Sequence, residues 1–216
     1  MRLRRAVLAD VPALLAIKAQ LVFEVQSGRT AKGGFLLGTD AAGYAQRIEA
    51  GEAWVMDADG VQGFALVLPD APFRRSEVWQ RRDQVQWGAL EPADFAHQRL
   101  CYFDQLAVRR GSFRNRRWGA VLAYHTVRMA LQRHDCLITA TVAEPVLNLA
   151  AVPYLNRAGA EWVGRLDEVV EPIGPLVSDI WLLTAQTFQR RVAQPQGRAE
   201  RWVVEASAAV TTGAAG

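Results

Sequence analysis

The stretch that decides the fold begins Leu100-Cys-Tyr-Phe-Asp-Gln-Leu-Ala-Val108 and continues Arg109-Arg-Gly-Ser-Phe-Arg-Asn-Arg-Arg117. Its first part is an apolar, strand-like run and its second a basic turn. From Trp118 to about Arg133 the pattern is helical, with Trp118, Val121, Leu122, His125 and Met129 on one face. Leu137-Ile-Thr-Ala-Thr-Val142 then reads as another strand. Strand, turn, helix and strand in this order make a βαβ unit, which closes right-handed with its strands parallel. The turn leaves the carboxyl end of a strand and opens a helix, where an anionic ligand binds most readily.

Working outward towards the N-terminus, Met1 to Ala6 is strand-like. Asp10 before Pro12 then predicts an N-capped helix through Leu14, Leu15, Ile17, Lys18 and Leu21. The segment from Ser27 to Gly38 is glycine-rich and irregular, and a short helix is expected from Asp40 to Ala50. Ala53 to Met56 and Val61 to Leu68 read as a hairpin, because Asp59-Gly60 between apolar strands supplies the positive φ of a tight turn. Residues 69–97 read as an insertion, with a short helix expected from Ser76 to Trp87. Trp79 and Trp87 suggest packing beside a site or a second subunit.

Towards the C-terminus, Glu144 to Ala158 is expected to be helical, with Pro153 in an early turn. Strands near Trp162 to Leu166 and Ser178 to Thr184 close the fold. Residues 1–185 thus form one domain, 186–205 a C-terminal extension with an apolar patch at Trp202 to Val204, and 206–216 a disordered tail by composition.

The bulk numbers agree. A chain of 216 residues, 50% hydrophobic and 22% charged, buries roughly 70% of its unfolded surface in a single core. Cys101 and Cys136 have no metal-ligand spacing and read as buried, reduced thiols. No apolar run has the length of a membrane span or the form of a signal peptide, so a cytoplasmic location is expected. The net charge is only +3, which does not argue for nucleic acid. Lys18 and Lys32 are the sole lysines among 25 basic residues, so the positive charge is almost all arginine. That bias suits phosphate and carboxylate, or reflects genome base composition.

The residues from Phe103 to Leu122 resemble the acetyl-CoA-binding motif of the GNAT superfamily of N-acetyltransferases. Leu106-Ala-Val108 fits the strand end, Arg114 the Arg position and Gly119 the second glycine of Arg/Gln-x-x-Gly-x-Gly/Ala, with Arg117 at the first glycine. A second register pairs Arg116 with Gly119 as the first glycine. Asn148, Ala151 and Gly159 fit the family's second signature, with Leu155 at the tyrosine position and Tyr154 beside it. The resemblance implies an α/β (α+β) fold, the GNAT fold, with a mixed central sheet of about six to seven strands flanked by helices and a helical insertion. It implies acetyl-CoA as cosubstrate, held by Leu106, Ala107, Val108, Arg114, Asn115, Arg116, Arg117, Trp118, Gly119, Ala120 and Asn148. Main-chain amides from about Arg114 to Ala120 would stay free to receive the diphosphate.

The chemistry so implied is direct attack of an amine on the thioester, which needs a base and an oxyanion donor. The Leu106 N–H would be that donor by resemblance. Asp104, expected on the same strand face as Tyr102 and Leu106, is the candidate base, or else a carboxylate paired with an arginine. Tyr154 is the candidate acid, or else a core tyrosine. His97 could serve as a base, His125 reads as a core residue and His134 as a helix C-terminal charge. The acceptor is expected to be a small-molecule amine, and a homodimer is compatible with the tryptophans of the insertion. Two alternatives stay open. A catalytically impaired acyl-CoA sensor or interaction module is favoured by Arg117 and Leu155. A basic nucleic-acid-binding domain rests on the arginine loop alone.

Overall fold

The computed structural model describes residues 1–21, 29–30, 36, 39–111, 113–171 and 173–212; most of the Ser27 to Gly38 segment lies outside them. In chain order the elements are β1 (Arg2–Arg5), α1 (Val11–Ala19), β2 (Arg29–Thr30), α2 (Ala41–Ala50), β3 (Glu52–Asp57), β4 (Val61–Leu68), α3 (Asp70–Arg75) and α4 (Glu77–Gln80). There follow β5 (Gln86–Trp87), β6 (Leu100–Val108), α5 (Phe113–Leu131), β7 (Cys136–Glu144), β8 (Leu147–Asn148) and α6 (Val152–Ala158). β9 (Glu161–Val170), β10 (Gly174–Thr184), α7 (Ala185–Ala193) and α8 (Gly197–Thr212) complete the chain.

One mixed sheet runs β1-β3-β4-β6-β7-β10-β9-β5, so seven strands are joined at one edge by the two-residue β5. Every pair in it is antiparallel except β6 with β7, the pair that the βαβ reading requires to be parallel. The β3–β4 hairpin turns through Asp59 at φ 54° and Gly60 at φ 103°, the conformation for which Asp-Gly is suited.

Both faces of the sheet are covered. Leu14, Ile17 and Tyr44 of α1 and α2 pack on Val55, Phe64, Leu66 and Ala107. On the same face the insertion lays Phe73 and Phe95 over Tyr102, Ile138 and Ile180. On the other face α5 sets Val121 and Leu122 against Trp54, Met56 and Ala65, joined by Trp202 and Val203 of α8. Leu155 of α6 and Phe188 of α7 pack with Tyr124, Leu131 and Leu137.

Several local expectations are corrected. Asp10 does not cap α1 through its side chain; its carboxylate takes both terminal nitrogens of Arg4, at 2.8 Å each, and the Val7 N–H at 2.9 Å. Charge-assisted bidentate bonding outweighs the cap. Residues 144–151 are not helical, because Leu147 and Asn148 pair in parallel with Arg29 and Thr30. The region from Ser76 to Trp87 breaks into a four-residue helix, a 3-10 turn and β5, which covers Arg165 and Gly164 of β9. Ala206 to Thr212, expected to be disordered, continues α8, because Trp202, Val203, Ala206 and Val210 form an apolar stripe on α5. Residues 213–216 lie outside the described part.

Candidate active site

The parallel ladder between β6 and β7 is short. It pairs Leu100 with Cys136, Cys101 with Leu137 and Tyr102 with Ile138, and there it ends. Beyond it β6 continues for six residues with β4 on one side only, while β7 continues against β10. The two strands therefore diverge towards their carboxyl ends.

Which groups face that opening follows from the hydrogen bonds at its two limits. At the inner limit the Phe103 carbonyl accepts a bond from Thr139 Oγ1 of β7 at 2.8 Å, so the Phe103 main chain faces the gap. At the outer limit the Arg109 N–H donates to the Gln62 carbonyl at 2.8 Å, towards the β4 side. Main-chain groups alternate edges along a strand, so Leu106 and Val108 face the gap and Ala107 faces β4. Phe103 and Leu106 are three residues apart, and simple alternation would put them on opposite edges. A bulge reconciles them: Leu66 pairs with Gln105 and Val67 with Phe103, leaving Asp104 as the extra residue.

The bulge also re-aims the side chains. Leu106 and Val108 lie on the α5 face. Asp104 points to the opposite face, where its Oδ2 accepts from Arg47 Nε of α2 at 2.5 Å. The expectation that Asp104 and Leu106 share a face is thereby corrected, since one inserted residue reverses the pleat. Beside this pair, Tyr44 Oη donates to Gln105 Oε1 at 2.9 Å and Gln105 Nε2 donates to Thr39 Oγ1 at 3.0 Å. Asp104 is only 13% exposed, and burial raises its pKa above the ordinary carboxylate value against the lowering effect of Arg47.

No family profile and no curated protein sequence matches the chain. Solved structures do. A ribosomal-protein-alanine N-acetyltransferase from Brucella melitensis, 21% identical, superposes with a TM-score of 0.55 over 85% of this chain and 99% of its own. The polyamine N-acetyltransferase of Drosophila melanogaster, 11% identical, gives 0.53 over 84% and 98%. Naa20 of Chaetomium thermophilum, seen with a bisubstrate analogue, is 11% identical and gives 0.54 over 92% and 92%. The chain has the GNAT fold.

Within that fold the opening between β6 and β7 leads to the start of α5. Because α5 begins at Phe113, N–H groups from Arg116 onward are bonded inside the helix, and only residues 113–115 of the first turn lack an intrahelical acceptor. The expected span of free amides, Arg114 to Ala120, is corrected to that turn. The side chains of Arg114, Asn115 and Arg116 lie outside the described residues. Arg117 is exposed, and its guanidinium stacks 4.1 Å above the Trp202 ring of α8, so it is held by α8 instead of filling the mouth. Trp118 packs edge-on against the same ring, and Ala120 is buried. Gly119 is there for packing: a Cβ would lie 2.7 Å from Val108 Cγ2, so the helix crosses the end of β6 at a distance only glycine permits.

Asn148 is buried, and its Oδ1 accepts from the Ala150 and Ala151 N–H groups at 3.1 and 3.2 Å, shaping the entry to α6. Leu155 packs into the cluster that contains Phe103 and Trp181, whereas Tyr154, about 100° away around α6, is half-buried outside it. The structure thus brings the Leu106 and Val108 main chains to the opening with Asp104 at the bulge beside them, and it puts Leu155 in the apolar cluster. Of the histidines, His97 is exposed, and His125 is buried edge-on to Trp54 at 4.2 Å. His134 is buried beyond the end of α5, between the Ala130 carbonyl, 2.8 Å from Nδ1, and the Asp70 N–H, 3.4 Å from Nε2.

Sequence reading missed Arg47. Arg47 lies 57 positions before its partner. Tyr102 stands at the last rung of the β6–β7 ladder, buried, with its ring stacked on Phe73 at 5.2 Å. On the same side of the sheet the insertion bounds a cleft of about 550 Å³ lined by Arg81, Glu144, Asp167 and Glu168. Arg81 reaches Glu168 at 3.0 Å, and Ser178 Oγ donates to the same carboxylate at 2.7 Å.

An acetyl-CoA cosubstrate fits these residues. The gap offers main-chain groups at Leu106 and Val108 along an edge with no strand partner among the described residues, and it ends at the first turn of α5.

Proposed function

We propose that the protein is an N-acetyltransferase that moves an acetyl group from acetyl-CoA to the primary amine of a small molecule. The observation that carries this reading is the early end of the β6–β7 ladder, with the bulge turning the Leu106 main chain into the gap. An extended, polar pantetheine arm suits such an edge, because backbone groups facing a gap need hydrogen-bond partners. The diphosphate would meet the first-turn amides of α5.

In this reading the thioester carbonyl lies near Leu106, whose N–H stabilises the charge that develops on oxygen. The amine nitrogen adds to the carbonyl carbon, and Asp104 takes its proton directly or through water. Burial aids that role by raising the carboxylate's basicity, while Arg47 holds it in place. The acceptor enters from the face of α2 and the insertion, where three carboxylates and one arginine line the cleft and suit a cationic amine.

The test is thiol release from acetyl-CoA with polyamines, amino acids, aminoglycosides and peptides. Saturable release with at least one small amine is expected. Tight acetyl-CoA binding with no release across the panel would reject the enzyme in favour of a sensor.

A further inference from the structure

Arg117 stands where the family motif has its first glycine, about one turn past the start of α5. Arg47, Arg81 and Arg99 are each paired with a carboxylate. Arg117 is exposed, and among the described residues no carboxylate neutralises it. What holds it is an aromatic face: its guanidinium carbon lies 4.1 Å from the centroid of the Trp202 ring. A cation–π contact orders a guanidinium while leaving its N–H donors without an oxygen acceptor. The charge is therefore fixed in place and still open to an anion.

The platform under it is itself docked. Trp118 packs edge-on to the same ring, with centroids 6.0 Å apart and planes at 86°. Tyr124 Oη of α5 donates to Glu200 Oε1 of α8 at 3.2 Å, and Arg128 Nη2 donates to Ser207 Oγ at 3.2 Å. Ser207 is fully buried, and Val203, Ala206 and Val210 add apolar packing along the same helix. A ring on a helix so fastened orders the long arginine chain before any ligand arrives, which lowers the entropy lost on binding.

We propose that Trp202 is a positioning residue of the cosubstrate site: through its ring, α8 presents the Arg117 guanidinium to a phosphate of CoA beside the first turn of α5. The inference rests on the acetyl-CoA reading above. An arginine in place of the glycine adds a cation next to the main-chain amides, and its planar fork suits phosphate oxygens. The C-terminal helix thereby belongs to the binding machinery and is more than a cover for α5. The 3′-phosphate and the diphosphate share this chemistry, and the test separates them.

Isothermal titration of the full chain with CoA and with dephospho-CoA, which lacks the 3′-phosphate, reads the site without turnover. Arg117→Ala should weaken CoA binding about tenfold, as loss of a charge-assisted hydrogen bond does. Trp202→Leu keeps apolar volume against α5 but removes the π face, and should weaken binding about threefold. Trp202→Phe should recover most of that loss. In an Arg117→Ala background, Trp202→Leu should have no further effect, whereas a merely structural role would weaken binding equally in both backgrounds. A loss in Arg117→Ala that vanishes with dephospho-CoA assigns the guanidinium to the 3′-phosphate; a loss that persists assigns it to the diphosphate. Unchanged CoA binding in Arg117→Ala, or additive losses in the double variant, overturns the proposal. No binding of CoA by the wild type removes it together with the acetyl-CoA reading. Wild type that binds CoA through Arg117 but releases no thiol ends the acetyltransferase reading and leaves the role of Trp202 standing.

Discussion

Asp104 is held between two opposing influences, and the balance can be moved. Burial raises its pKa, and the Arg47 charge and hydrogen bond lower it. A base works when deprotonated, so the acid limb of kcat/KM reports this group. Arg47→Gln should shift that limb to higher pH, and Asp104→Asn should lower kcat about 100-fold. A limb unmoved in the first variant removes Asp104 as the titrating base. His125 gives a second pH effect, on stability. Burial against Trp54 lowers its pKa, so the unfolded chain takes the proton first. Its contribution is intact above the unfolded value of about 6.5 and is lost as pH falls below it. Melting temperatures across this range should depend less on pH in His125→Gln than in the wild type, and equal slopes would contradict the assignment. Asp104 could be named from sequence because a carboxylate near a strand end is conspicuous. Arg47 could not, because it lies 57 positions before Asp104 and meets it only through the fold.

The contact between α5 and β6 is the tightest point of the cradle. Gly119→Ala would press a methyl group to within 2.7 Å of Val108 Cγ2, and overpacking of this kind costs about 1–3 kcal/mol. Val108→Ala should recover most of that loss, so a double-mutant cycle by denaturant unfolding should show coupling. Independent, additive effects would mean that the helix simply shifts. The strand–helix–strand unit and the Asp59-Gly60 hairpin were legible because periodicity and turn chemistry agree there. The bulge at Asp104 was not, since it is set by pairing with β4 and leaves no local signal. Likewise β8 displaced an expected helix through its pairing with β2, and α8 gains its order from docking on α5. Alanine-rich composition alone did not distinguish that helix from a tail, although alanine is the best helix former.

In the proposed function, the acetyl-CoA cradle lies towards α5 on one face of the sheet, the acceptor cleft lies on the other, and the gap between β6 and β7 joins them. α5 to α8 cover the first face; α1, α2 and the insertion cover the second. The fold class was readable because one parallel pair within an otherwise antiparallel sheet follows from element order. The acceptor side was not, because the cleft proposed for it is lined by the insertion, the end of β7, β9 and β10, which share no motif. Whether the gap receives the thioester is decided most directly by isothermal titration of the full chain with acetyl-CoA. Saturable heat corresponding to one site per chain is expected. No heat at millimolar acetyl-CoA would contradict the cradle between β6, β7 and α5.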